Sequence, residues 1–335
     1  MVGVAVLAVD GTKVHANASQ HQNLDCGQIA SEVLAEADAV DRAEDERFGA
    51  RRGDELPPEL STAQRRRGWL RDARRRLDER RAAEARPVPR SRRERLREGK
   101  RRLEEGHQVH CWANEAYEAH RARGVMKDGR RFGKPPTPYT PPPTPQRKVN
   151  VTDLDSRNVK TPRGYMQGYN TQAVCNEHQI VVAAEINTDS PDFGHLGPMV
   201  TAVEREFTAA GVSEKPPAVV ADAGYWHHDQ MDHLAGRGIT VLVPPDAGKR
   251  KGARPGWDGG RYAFMRTVLS TDRGKQLYGK RQTTIEPVFA HTNFNRRLDR
   301  FLRRGIAACS SEWRLITATH NLLKLHSHHT AATAA

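Results

Sequence analysis

Three acids in this chain stand where carboxylates could meet a hard cation. Asp10 closes the apolar run Ala5-Val6-Leu7-Ala8-Val9 and is followed by Gly11. Asp222 closes Ala218-Val219-Val220-Ala221 and is followed by Ala223 and Gly224. Glu286 lies in Thr283-Thr284-Ile285-Glu286-Pro287, at a helix start that the proline marks. Mg²⁺ takes oxygen ligands and keeps several waters, so two or three carboxylates from such positions suffice to hold it. A pair of such ions activates the attacking oxygen and stabilises the leaving oxygen of an in-line phosphoryl transfer. Taken singly, an Asp after a strand is more often a turn residue or a helix N-cap. Histidines compete weakly as ligands. His227 and His228 follow Asp222, but no HExxH motif is present, and His326, His328 and His329 read as part of a solvated tail. No GxSxG nucleophile elbow is present either.

The elements that must carry these acids follow from hydrophobic periodicity. Residues 2–17 read as a strand, a turn at Asp10-Gly11 and a second short strand. Tyr169–Cys175 and Ile180–Ile186 read as a β-hairpin turning at Asn176-Glu177-His178. The stretch from His195 to Gly211 places Leu196, Met199, Val200, Val203 and Phe207 on one helical face. Short buried strands end at Asp222 and cover Ile239–Pro245, with a helix closed by Gly238 between them. Residues 271–300 and 311–326 read as two further helices, after a Gly- and Lys-rich loop from Asp246 to Gly260. Together they predict an α/β fold, a mixed sheet with helices on both sides.

Between the first strands and the hairpin the composition changes. Residues 25–48 predict an amphipathic helix through Ile29, Val33, Leu34, Ala37 and Val40. Residues 61–105 predict a long charged helix with a narrow stripe of Trp69, Leu70, Ala73 and Leu77, broken at Pro87-Val88-Pro89. Residues 133–145 hold seven prolines in thirteen positions and predict an extended linker. The expected organisation is therefore first strands at 1–20, a helical Arg-rich insertion at 21–132, a proline-rich linker at 133–148, the rest of the sheet domain at 149–326, and a disordered tail at 327–335.

Charge sets the expected partner. Lys and Arg number 54 against 41 Asp and Glu, a net charge of +13. Such a field speeds encounter with polyanions. Nucleic acid is the first candidate partner and an anionic membrane surface the second. The apolar start of the chain is too short to span a bilayer and lacks a basic n-region. Cys26, Cys111, Cys175 and Cys309 show no CxxC spacing, which points to a reducing compartment rather than a disulfide framework or zinc site.

Four blocks occur in one order: LAVDGTKVHANAS, TDLDSRNVKTPRGYMQGYNTQAV with VVADAGYW, YGKRQTTIEPVFAHTNFNRRLDRFLRRG, and EWRLITATHNLLKL. In these blocks the chain resembles the DDE transposases of bacterial insertion sequences. The resemblance covers almost everything outside residues 50–145. It implies an RNase H-like fold, with Asp10, Asp222 and Glu286 as the catalytic, metal-holding triad. Tyr278 and Arg281 would support them, with Arg281 gripping a phosphate, and Arg296 and Arg297 are further candidate phosphate contacts. It implies Mg²⁺ or Mn²⁺ as cofactor and double-stranded DNA, both element ends and target, as partner. A homo-oligomer during transposition, no membrane association and a cytoplasmic, nucleoid-associated location complete the expectation. Asp155, in Thr152-Asp153-Leu154-Asp155, is the alternative first acid. Two departures stand out. The family's lysine, seven residues past the glutamate, is Asn293 here, and the chain starts at the first acidic strand, so the helical domain that precedes that strand in the family is expected to be absent. Both predict a truncated copy of low activity. The competing expectation is a non-catalytic basic nucleic-acid-binding protein that uses its Arg-rich insertion.

Overall fold

A computed structural model describes residues 5–35, 89–122, 143–246 and 259–334. The chain divides into two compact units, residues 1–22 with 152–335, and residues 23–151.

The first unit is built on a six-stranded mixed sheet. Its strands are β1 (Leu7–His15), β2 (Arg157–Thr161), β3 (Gly164–Cys175), β4 (Val181–Asn187), β5 (Ala218–Ala221) and β6 (Thr240–Leu242). β3 is the longest strand. One of its edges pairs antiparallel with β1, and the other pairs first with β2 and then with β4. β5 lies parallel to β1, and β6 parallel to β5. The central strands are apolar because both faces are covered: Leu7, Ala8, Val9, Val219, Val220 and Ala221 are fully buried. The helices are α1 (Leu196–Ala209), α2 (His228–Gly236), α3 (Gly260–Ser270), α4 (Asp272–Thr284), α5 (Glu286–Ala290) and α6 (Ile306–Ala334). The face foreseen for α1 is the face it buries: Leu196, Met199, Val200, Val203 and Phe207. α2 ends before Gly238, whose φ of 82° suits a residue without a Cβ.

Several expectations need correction. β1 runs unbroken through Asp10-Gly11, with Gly11 opposite Gln172 on β3. Gly11 serves space rather than a turn: a Cβ there would collide with Gln172 Nε2 and come within 2.9 Å of Asp192 Oδ1. The helix expected at 271–300 is α4 and α5 followed by a π-helical turn at His291–Asn295, after which the chain leaves helical geometry. α6 begins at Ile306 and continues through Ala334, so the segment expected to be a disordered tail from 327 is helical as far as 334. α3 was not foreseen. The Gly- and Lys-rich loop lies outside the described residues over 247–258.

Among its described residues the second unit shows two helices. One covers 26–35 and another Arg92–Ala122. Each opens with a reciprocal cap. Asp25 accepts from Gln28 N (2.9 Å) while Gln28 accepts from Asp25 N (3.0 Å). Ser91 accepts from Glu94 N (3.1 Å) while Glu94 accepts from Ser91 N (3.3 Å). Both satisfy N–H groups that an open first turn leaves without partners. Asn23–Leu24 and Val149–Asn150 form a two-stranded sheet separate from the large one. The stripe at 69–77 and the linker prolines before 143 lie outside the described residues.

Candidate active site

β1 and β5 place two of the three acids side by side. They pair in parallel through Leu7↔Val219, Ala8↔Val220 and Val9↔Ala221. The next residues are Asp10 and Asp222, and Asp222 keeps extended backbone at φ −79°, ψ 175°. Equivalent positions of parallel neighbours share a face, so both carboxylates leave the sheet on one side. Glu286 reaches the same place from α5. Arg281, near the end of α4, donates from Nη2 to Asp10 Oδ2 (2.9 Å) and from Nη1 to Glu286 Oε1 (3.2 Å). One guanidinium thus joins the first and third acids. Its geometry depends on Ile285, which keeps right-handed backbone between α4 and α5 and donates its N–H to Arg281 O. Pro287 follows in the first turn of α5, where its missing N–H costs no helical bond.

Electrostatics mark Asp10 as the unusual member. Burial pushes its carboxyl up to about 6, and the neighbouring charges of Asp222 and Asp192 add to the rise. Arg281 and the Gly11 N–H, which Asp10 Oδ1 accepts at 2.8 Å, pull the other way and do not prevail. An ion pair alone would lower this acid; loss of water outweighs it. Burial also raises the Tyr278 hydroxyl, with Asp222, Asp10 and Glu286 adding and Arg281 opposing. Burial works against the charge of Arg281, yet Asp10, Tyr278, Asp222 and Glu286 hold its pKa above the ordinary value. Arg281 Nε is buried without a hydrogen-bond partner.

Asp222 also performs the ordinary task of its position. Its Oδ1 accepts from Gly224 N (2.8 Å) and caps the short turn Ala223–Tyr225. Asn293, at the place of the family's lysine, donates to Thr12 Oγ1 (3.2 Å), and its Oδ1 is buried without a partner. Arg296 donates to Ile316 O (2.7 Å), pinning the loop to α6, whereas Arg297 is exposed.

Asp155 lies in a different setting. Its Oδ2 accepts from Ile306 N (2.9 Å), at the start of α6. Asp153, 2% exposed, accepts from Tyr169 Oη (2.8 and 2.9 Å) and from Gly305 N (3.2 Å). The pair ties the α6 start to β3.

A fourth acid went unforeseen. Asp192 follows β4 in the turn-rich Ser190-Pro191-Asp192-Phe193-Gly194, where an Asp reads as a loop residue. Its Oδ1 accepts from Lys13 Nζ (3.0 Å), Asn170 Nδ2 (2.9 Å) and Gln172 Nε2 (2.8 Å). A Cβ on Gly224 would lie 3.7 Å from its Oδ2 and 2.9 Å from Asp222 Oδ1, so two acids flank that glycine. Gln172 also accepts from Tyr225 Oη, which extends the network beneath the turn that follows Asp222. No local pattern links residue 192 to Lys13; only the folded sheet does.

Residues 261–326 match the family model described as the Transposase DDE domain, which supports a DDE transposase of an insertion-sequence type. The matched stretch contains Tyr278, Arg281 and Glu286 but neither Asp10 nor Asp222. No curated protein and no solved structure matches the chain. No described helix is long and apolar enough to cross a membrane.

Proposed function

We propose that this chain is a transposase whose RNase H-like sheet carries a catalytic triad of Asp10, Asp222 and Glu286. It cleaves DNA strands at element ends and joins them to target DNA by metal-dependent phosphoryl transfer. The observation that carries this reading is the meeting of three acids from remote segments. Asp10 and Asp222 stand side by side on parallel strands, and Glu286 is linked to Asp10 through Arg281. Double-stranded DNA as partner is favoured by the net charge of +13. A homo-oligomer that holds two ends, and a nucleoid-associated location, belong to the same proposal.

The donor set fits a hard cation. Among the described residues, no three His, Cys, Asp or Glu side chains form a ready-made cage. Mg²⁺ keeps several waters and needs only one or two carboxylates, which Asp10 and Asp222 supply, with Glu286 adjacent. Bound there, Mg²⁺ or Mn²⁺ supplies the charge that activates an attacking oxygen and steadies a leaving one. The chain's own residues do the rest. Asp10, with a carboxyl raised to about 6, would be held ionised by an added positive charge. Arg281 has two N–H groups on carboxylates and suits bidentate exchange onto a phosphate. Tyr278 lies within the same electrostatic environment, its hydroxyl raised by burial and by the neighbouring acids.

The test is conversion of supercoiled DNA to nicked circles by the full chain in Mg²⁺ or Mn²⁺. Nicking is expected to disappear in Asp222→Ala while salt-sensitive DNA binding persists. Salt-sensitive binding by the unaltered chain, with no nicking in either ion, refutes catalysis in favour of a purely DNA-binding protein.

A further inference from the structure

The hinge between α4 and α5 leaves a backbone carbonyl without its helical partner. In an unbroken helix Thr283 O would accept from the N–H of residue 287, but Pro287 has none, and its ring crowds that carbonyl. Gln179, in the turn between β3 and β4, supplies a donor instead: its Nε2 donates to Thr283 O at 2.8 Å. Thr283 lies between Arg281 and Glu286, the two residues whose meeting depends on that hinge.

Gln179 reaches the carbonyl from a costly backbone. Its φ is 61°, a left-handed conformation that a residue with a Cβ adopts only where its surroundings impose it. The surroundings here act from both sides. Within the turn, Gln179 N donates to Asn176 O (2.9 Å). From α6, Lys324 Nζ donates to Gln179 Oε1, and His320, 1% exposed, meets Gln179 O with its Nε2 at 3.0 Å. The ion pair of Glu177 with Lys280 fastens the same turn to α4 a second time.

The protonation of two histidines follows from these contacts. A carbonyl only accepts, so His320 Nε2 carries a proton. Burial lowers the pKa of His320 from the ordinary 6.5, and His291, Lys324 and Arg296 lower it further, against the pull of the Gln179 carbonyl. Its Nδ1 is then a bare acceptor, and His291 Nδ1, 3.1 Å away, is the donor. His291 opens the π-helical turn that follows α5. His320 thus holds both ends of α5: the hinge through Gln179, and the π-helical turn through His291.

We propose that Gln179 is a positioning residue: its amide sets the α4–α5 hinge so that Arg281 joins Glu286 to Asp10, and His320 keeps the amide in place. This rests on the DNA-cleaving reading above and adds to it a residue that acts on the acids through the backbone of Thr283.

The test uses the full chain, with single-turnover nicking of supercoiled DNA read beside DNA affinity and thermal unfolding. Gln179→Gly keeps the left-handed backbone and the carbonyl that His320 holds, and removes only the amide. It is expected to nick about tenfold more slowly, the scale of a small misplacement of reacting groups. DNA affinity should be unchanged, and the melting temperature should stay within about 3 °C of the unaltered chain. His320→Leu should slow nicking likewise, whereas His320→Gln, whose amide can donate to Gln179 O, should keep the rate within about twofold. Ring ¹⁵N spectra of the full chain at about pH 8 are expected to show His320 protonated on Nε2 alone and His291 on Nδ1 alone. The His320 signals are those that vanish in His320→Gln. Nicking by Gln179→Gly that matches the unaltered chain, or falls only as folded protein is lost, overturns this inference and leaves the DNA-cleaving reading standing. His320 protonated on Nδ1 alone does the same. An unaltered chain that nicks in neither Mg²⁺ nor Mn²⁺ overturns both.

Discussion

Two segments of this protein present aspartates beside β-strands of the same sheet, and they use them in opposite ways. In Val9-Asp10-Gly11 the carboxylate is buried next to another acid, and burial with Asp222 keeps it up at about 6. In Thr152-Asp153-Leu154-Asp155 the carboxylates sit on backbone N–H groups and a tyrosine hydroxyl, donors that satisfy a negative charge. The second arrangement stabilises the fold; the first opposes it. A carboxylate kept where folding gains nothing from its charge is a candidate for chemistry, and one that fastens a helix start to a strand is a candidate for architecture.

The widest separation is expected in nicking. On the proposed reading, Asp10→Asn lowers metal-dependent nicking by about three orders of magnitude or more, the scale on which loss of one transition-state contact worth ~4 kcal/mol is felt. Asp155→Asn is expected to leave the nicking rate of the folded protein within about twofold. Equal losses in the two variants would erase the distinction.

Stability should show the reverse ranking. Asp153→Ala leaves Tyr169 Oη and Gly305 N without their acceptor in a site that is 2% exposed. A loss of about 3 kcal/mol is expected in urea unfolding, from hydrogen bonds to a charged group and the donors left unpaired. A change below about 1 kcal/mol would mean that water replaces the carboxylate and that the segment is no anchor.

The smallest effect is the pH dependence of Asp10. Its folded value of about 6 lies above the ordinary 3.8, so between these values the folded state holds a proton that the unfolded chain has released. Stability contributed by this group is therefore greatest below pH 3.8 and falls as pH rises toward 6. Asp10→Asn, which cannot ionise, is expected to be more stable than the unaltered chain above pH 6 by about 1 kcal/mol, after the lost Arg281 ion pair is set against it. Thermal unfolding at pH 5 and pH 8 checks this, and a variant less stable at pH 8 would show that the ion pair outweighs burial.

The sequence discloses these two segments unequally, for physical reasons. Long apolar runs announce β1, β5 and the buried face of α1, because a strand covered on both faces or a helix packed on one must be apolar there. Asp-Gly reads as a turn because turns and close approaches favour the same small residue; only the facing Gln172 shows that Gly11 serves the second. Glu286 and Arg281 were legible as neighbours on near-continuous helix. Asp192 was not, since its partners Lys13 and Asn170 reach it across the sheet. The π-helical turn depends on packing against β1, and no spacing of residues encodes it locally.

The split of the sheet by its insertion also bears on the order of events during synthesis. β1 pairs with β3 and β5, and β3 ends at Cys175, so roughly 160 residues must follow His15 before β1 meets its first complete partner. At about 5–20 residues per second, that delay is about 8–32 s on the ribosome. For that interval the strand that carries Asp10 is an apolar segment with open hydrogen-bonding edges, a template for pairing with other chains. The helices of the second unit, which open with local caps, emerge in the meantime and need no distant partner to start. The window in which a nascent chain is vulnerable to aggregation is thus set by the length of the insertion, and shortening it should raise soluble yield even where equilibrium stability stays the same.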